Sequence, residues 1–155
     1  GLYAHFDTKQ SLQCDVLDEA ASRWVDLVLS PALKAPRGAP RVRALFEHWL
    51  LWERGALAGG CPFIAASAEF DDRPGRVRDQ LAKHLEDMLG AVSRAAQIAV
   101  DEGHFASGTD TEQFAFELWA LLLAYHAYRR LLDREDSRDR ARRALESLIA
   151  RAATS

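Results

Sequence analysis

The side chains able to do chemistry are few, and their spacing matches no catalytic template. There are five histidines (His5, His48, His84, His104 and His126) and two cysteines, Cys14 and Cys61. None stand at the intervals a tetrahedral zinc site uses. A carboxylate-bridged di-iron centre in a helical bundle needs Glu-x-x-His pairs. The residue three past Glu47, Glu53, Glu69, Glu86, Glu102, Glu112 and Glu117 is never histidine. No Ser-His-Asp or Cys-His arrangement emerges from the spacing. No enzyme, no metal and no cofactor are therefore expected. What remains is a set of polar residues set among apolar ones: His48, Glu53, Glu69, Glu117 and His126. Glu117 is the one singled out, because it is the only charged residue between Phe114 and Tyr128. Burying it alone would be costly. It either meets a cationic or hydrogen-bonding ligand or pairs with an arginine.

The elements that must position these groups read as helices throughout. Apolar residues recur at helical spacing in four long stripes. The first runs Leu12, Val16, Leu17, Ala20, Trp24, Leu27 and Val28, with Thr8 as its N-cap and Lys9 opening the helix. It is expected to stop before Pro31, and a loop to follow as far as Pro40. The second stripe is Val42, Leu45, Phe46, Trp49, Leu50, Glu53 and Leu57, closed by Gly59-Gly60. A short buried helix covers Ile64 to Phe70, with Pro62 in its first turn. The third stripe is Val77, Leu81, Leu85, Met88, Leu89, Val92, Ala96, Ala99 and Val100, capped by Asp71 or Asp72 and closed by Gly103. Gly90 inside it marks a kink or a close contact. Asp110, with Gln113 three residues on, has the form of a capping box for the fourth. That helix, Phe114 to Leu132, is apolar on nearly all sides and needs cover on nearly all sides. The last helix, about Asp136 to Ala152, is its opposite. Eight arginines crowd residues 129–151 against five acids, which reads chiefly as a solvated face laced with ion pairs. No strand alternation, internal repeat or low-complexity segment is present. The fold class is all-α, a helical bundle of five long helices and one short one.

Composition is that of an ordinary globular chain, with 48% hydrophobic and 28% charged residues. No long uncharged apolar run calls for a membrane. The cysteines read as free, buried cytosolic thiols. Net charge is -3. Residues 1–30 hold Lys9 and Arg23 against Asp7, Asp15, Asp18, Glu19 and Asp26, so no basic patch marks that end.

The opening stretch Gly-Leu-Tyr-Ala-His-Phe-Asp-Thr-Lys-Gln-Ser-Leu, residues 1–12, resembles the end of the recognition helix, the turn and the next helix start of TetR/AcrR-type transcriptional regulators. The stretches Gly-Gly-Cys-Pro-Phe (59–63), Ala-Glu-Phe-Asp-Asp-Arg-Pro-Gly (68–75) and Phe-Glu-Leu-Trp-Ala-Leu-Leu-Leu-Ala-Tyr-His (116–126) are similar to one branch of the same family. The resemblance implies residues 1–8 as a remnant of a helix-turn-helix head whose first two helices are absent from the sequence. It implies residues 9–155 as a ligand-binding and dimerisation domain. It implies phosphate contacts from Tyr3, His5 and Lys9, with Phe6 packing between the two domains. The last two long helices would form a four-helix bundle with a second subunit, through Leu122, His126, Arg129, Leu145, Leu148 and Ile149.

With four tryptophans and seven phenylalanines, the chain is rich in bulky rings. Trp24, Phe46, Trp49, Phe63, Phe70, Phe114, Leu118, Leu121 and Tyr125, with Glu117, lie on stripes that would face one another. They are either plain core or the wall of a ligand site. The expectation is a cytoplasmic, dimeric, ligand-responsive repressor that binds operator DNA and is released by a small hydrophobic or aromatic effector. The alternative is an all-helical small-molecule carrier or sensor without a DNA role.

Overall fold

The computed structural model describes residues 1–55 and 59–154. All regular elements there are helical: α1 (Leu2–Trp24), a π-helical turn (Val25–Leu29), α2 (Ser30–Ala32), α3 (Ala39–Gly55), α4 (Pro62–Phe70), α5 (Arg76–Asp101), α6 (Thr111–Arg130) and α7 (Ser137–Thr154). The helix α6 packs between α5 and α7, while α1 and α3 both lie against α5. Leu57 of the expected second stripe lies outside the described residues.

The expected turn at Asp7-Thr8 is replaced by unbroken helix. Neither residue is a helix breaker, and the Thr8 hydroxyl donates to the Ala4 carbonyl at 2.8 Å instead of capping a new start. The residues around it are exposed, so no packing opposes the local preference. The far end of α1 also runs on past the expected stop. Proline lacks an N–H and its ring presses on the carbonyl four residues back. The π-helical turn accommodates this by widening the helix one turn earlier, with the Ser30 N–H bonded to the Val25 carbonyl. Pro31 then sits inside α2.

Three connections are fixed by named groups. At the start of α3, the His104 Nδ1 accepts from the Ala39 N–H at 3.0 Å, so an imidazole serves as the cap. Gly38 makes this possible: its φ is +93°, and a Cβ there would lie 2.1 Å from that nitrogen. Before α5, the cap position falls to Gly75 rather than to Asp71 or Asp72, and no side chain caps it. Before α6, the Asp110 carboxylate accepts from the Glu112 and Gln113 N–H groups at 3.1 and 2.9 Å. The capping box is only half made, because Gln113 Nε2 reaches forward to Glu117 at 3.2 Å. Gly90 does not break α5; it leaves room for the Arg94 guanidinium, 3.0 Å from where a Cβ would stand.

Arginine–glutamate pairs tie α7 to α3. Arg142 meets both oxygens of Glu47 at 2.6 and 2.9 Å, Arg138 reaches the same carboxylate at 3.2 Å, and Arg43 grips Glu146 at 2.8 and 2.9 Å. They are thus cross-helix ties within one subunit as well as a solvated face. Among the described residues, no helix is long and apolar enough to cross a membrane.

Candidate functional site

Three tryptophans from three helices meet inside the bundle. Trp24 ends the buried stripe of α1, Trp49 lies in that of α3, and Trp119 comes from α6. The Trp24 and Trp49 rings meet edge-on at 5.0 Å, and Trp49 and Trp119 are 5.9 Å apart. Trp24 and Trp49 are buried, and neither indole N–H has an acceptor among the described residues. A buried donor without a partner costs about 1–3 kcal/mol. The Trp52 N–H is a milder case, because it lies against the Cys61 sulfur, a weak acceptor.

One turn beyond Trp49, Glu53 is 2% exposed and well served. Its Oε2 accepts from the Cys61 N–H at 2.8 Å, and its Oε1 lies 2.5 Å from His126 Nδ1 on α6. Gly60, with φ +80°, comes so close that a Cβ would stand 2.6 Å from Oε1. Arg129 donates to the Glu53 and Arg54 carbonyls at 3.3 and 3.4 Å. Burial pushes the Cys61 thiol up to about 11, an inert setting. Both cysteines are free, Cys61 buried and Cys14 only half-buried.

A second cluster joins α1 to α5. Asp18 accepts from Gln80 and lies 2.7 Å from His84 Nε2. The Gln80 amide, then His84, hold the Asp18 carboxyl below the usual range. The His84 ring meets the edge of Phe63 at 6.1 Å.

The other residues expected around a ligand disperse. Phe46, Phe63, Phe114, Leu118 and Tyr125 are buried in the common core with Trp24 and Trp49. Phe114 stacks on Phe105 at 5.1 Å, away from the tryptophans in the contacts it makes. Phe70 lies beneath Arg73 and lines an outer hollow with Phe6 and Lys9. Leu121 lines another hollow between α6 and α7. Glu117 is not a buried ligand group: its side chain is 35% exposed and pairs with Arg151.

The residues expected at a dimer seam are placed as follows. Leu122, Leu145, Leu148 and Ile149 are buried within the single subunit, so they serve its own core. His126 and Arg129 are held by α3, as above. The large apolar residues that α6 leaves outward are Phe116, Leu123 and Tyr128, exposed by 66%, 41% and 42%, and Leu131 just past its end is 82% exposed. Phe116, Ala120, Leu123, Ala127 and Leu131 recur every three or four residues, forming one stripe. Tyr3, His5 and Lys9 are all exposed on the first turns of α1. His5 and Lys9 share a face, while Tyr3 is about 160° round from His5 at about 100° per residue.

Residues 38–145 match the family model described as "Tetracyclin repressor-like, C-terminal domain". The chain belongs to that family. It is accordingly part of a TetR-type transcriptional regulator. The matched stretch contains Trp49, Trp119, Glu53 and His126, while Trp24 and the opening turns of α1 precede it. A solved structure of a TetR transcriptional regulator from Chloroflexus aurantiacus J-10-FL has the same fold, with a TM-score of 0.81. At 18% identity, the alignment covers 100% of this chain and 77% of that one. No curated protein matches the chain.

In this TetR-type body the sequence ranked Glu53 below Glu117 and did not show the Asp18–His84 bridge. Glu53 was on the stripe, seven residues from Phe46 and four from Trp49, and that phase marked it for burial more strongly than Glu117. The Asp18–His84 bridge had no local signal, since its partners are 66 residues apart.

Proposed function

We propose that this regulator is a dimeric repressor that leaves its operator when a small hydrophobic or aromatic effector enters between Trp24, Trp49 and Trp119. The observation that carries the reading is the pair of buried indole N–H groups without a protein acceptor. An effector with an apolar ring and one or two acceptor atoms satisfies them in a setting already apolar. It acts in the cytoplasm, without a cofactor.

Trp24 supplies the coupling. It sits on α1, the helix whose first turns present Tyr3, His5 and Lys9 for phosphate contact. Residues 1–8 serve as the end of the DNA-binding head. An effector held by both Trp24 and Trp49 favours one placement of α1 against α3. It shifts the balance between states only by its difference in affinity for them. Asp18 with His84, and Arg76 with Asp7 and Ser11, hold α1 on α5, so its movement carries the start of the helix with it. The outward stripe Phe116, Ala120, Leu123, Ala127 and Leu131 is the surface for the second subunit, with two copies of α6 and α7 forming a four-helix bundle. Dimerisation spaces two recognition helices for successive major-groove turns, about 34–36 Å apart.

The test is DNA binding by the full-length regulator to its own upstream region, measured with and without compounds that raise its melting temperature. Release by such a compound, abolished in Trp49→Phe, supports the reading. Bound compound that leaves operator affinity unchanged contradicts it. A carrier or sensor without a DNA role is the second reading, favoured by the net charge of -3 and the acid excess in residues 1–30. Absence of any specific DNA binding would select it.

A further inference from the structure

A cleft of about 280 Å³ opens where the end of α6, the turn after it and the start of α7 meet the end of α3. Four arginines line it: Arg54, Arg129, Arg134 and Arg138. Two carboxylates, Asp133 and Glu135, share the lining, so positive charge is in excess. Among the described residues, Arg54 and Arg134 have no ion pair. Arg138 spends one nitrogen on Glu47, but its buried Nε–H has no acceptor among the described residues.

Two hydroxyl side chains complete the lining. Tyr125 is 3% exposed and Ser137 5%. Neither hydroxyl has a hydrogen-bond partner among the described residues. Both side chains are buried but their oxygens are not fully enclosed, so each hydroxyl is open to a ligand in the cleft it lines. Burial pushes the Tyr125 phenol up, and Arg129, Arg54 and Arg138 pull it partway back. Ser137 is also the first residue of α7, an 18-residue helix whose positive end therefore faces the cleft. The turn is held in shape by the Arg134 N–H bonded to the Tyr128 carbonyl at 2.9 Å, with Asp133 at φ +51°.

We propose that this cleft binds a small oxyanion, a phosphate or a carboxylate, gripped by Arg54, Arg129 and Arg138 and by the hydroxyls of Tyr125 and Ser137. A guanidinium fork matches the oxygens of such an anion, and charge-assisted bonds of this kind are stronger than neutral ones. Tyr125 and Ser137 donate hydrogen bonds that a chloride ion would exploit poorly by comparison, because they come from separate helices around a polyatomic ligand. Binding ties the ends of α3, α6 and α7 together. The site is separate from the tryptophan cluster, and it stands or falls independently of the effector reading.

The probe is inorganic phosphate, titrated into the protein by calorimetry at constant ionic strength. The expected result is saturable binding, one phosphate per subunit. Tyr125→Phe and Arg54→Gln each weaken it at least about tenfold, the loss of one bond to a charged group. Both variants keep the helical signal, since neither side chain holds a partner inside the core. Arg78→Gln, which loses only a bond to the Asp71 carbonyl, leaves phosphate affinity unchanged. A random-sequence duplex is then added. Failure to displace phosphate identifies a free oxyanion as the ligand, and displacement identifies the phosphates of nucleic acid at the same cleft. Non-saturating uptake, or wild-type affinity in both cleft variants, overturns the proposal.

Discussion

Trp49 and Glu53 stand one turn apart on α3, both are buried, and both carry polar atoms into the core. Their treatment is opposite. Glu53 has a backbone N–H, an imidazole and a glycine shaped to its oxygen. Trp49 has an indole N–H with no acceptor among the described residues, beside Trp24 in the same condition. A chain that satisfies one buried group so fully does not lack the means to satisfy the next. On the proposed reading, the contrast separates a group that holds the fold from a group kept for an effector.

Removing the structural member should have the largest effect. Glu53→Leu strips the acceptor from Cys61 N–H and His126 and should cost about 3–5 kcal/mol in chemical denaturation. Effector affinity, measured where the variant is still folded, should change little. Gly60→Ala attacks the same carboxylate from the other side. A Cβ at φ +80°, 2.6 Å from Oε1, should cost about 2 kcal/mol.

Acid should separate the satisfied carboxylates from the rest. The Gln80 amide, then His84, lower Asp18; Arg142 lowers Glu47; Arg43 lowers Glu146. In the unfolded chain such groups titrate near pH ~3.9 for Asp and ~4.3 for Glu. Their folded values are lower, so their stabilisation is fully present above the unfolded values and is lost as pH falls through the folded ones. Thermal melts should show no pH dependence from them between pH 7 and about 5, then a decline below about 4. Gln80→Ala, Arg142→Gln and Arg43→Gln together should flatten that decline.

The smallest effect belongs to the acid that the sequence reading preferred. Glu117 pairs with Arg151 at the surface, so Glu117→Gln should cost no more than about 1 kcal/mol, and less in high salt. An effect as large as that of Glu53→Leu would dissolve the contrast.

The helices were legible because their stripes are long and their breaks carry glycine, proline or a capping aspartate. Asp110 capped α6 as its spacing implied. The turn at Asp7-Thr8 was not legible, since it rested on a motif and no local breaker supports it. Pro31 read as a stop because a π-helical turn, which lets a helix continue through proline, has no simple sequence signal. The ring residues were found, but the periodicity of α6 could not say which of its two apolar faces turns inward. Leu122 was therefore assigned to an interface, whereas Phe116 and Leu123 are the residues left outside. Trp119 and His84 act through partners on distant helices, which a single stripe does not show.

The most direct test uses the four indole N–H signals of the chain in a nitrogen-15 spectrum, assigned by single Trp→Phe variants. Apolar aromatic compounds bearing a carbonyl are screened for those that raise the melting temperature. The account expects such compounds to shift the Trp24 and Trp49 signals downfield, as each donor gains an acceptor, and expects Trp49→Phe to lose binding while remaining folded. A compound that stabilises the protein and leaves both signals in place would contradict it.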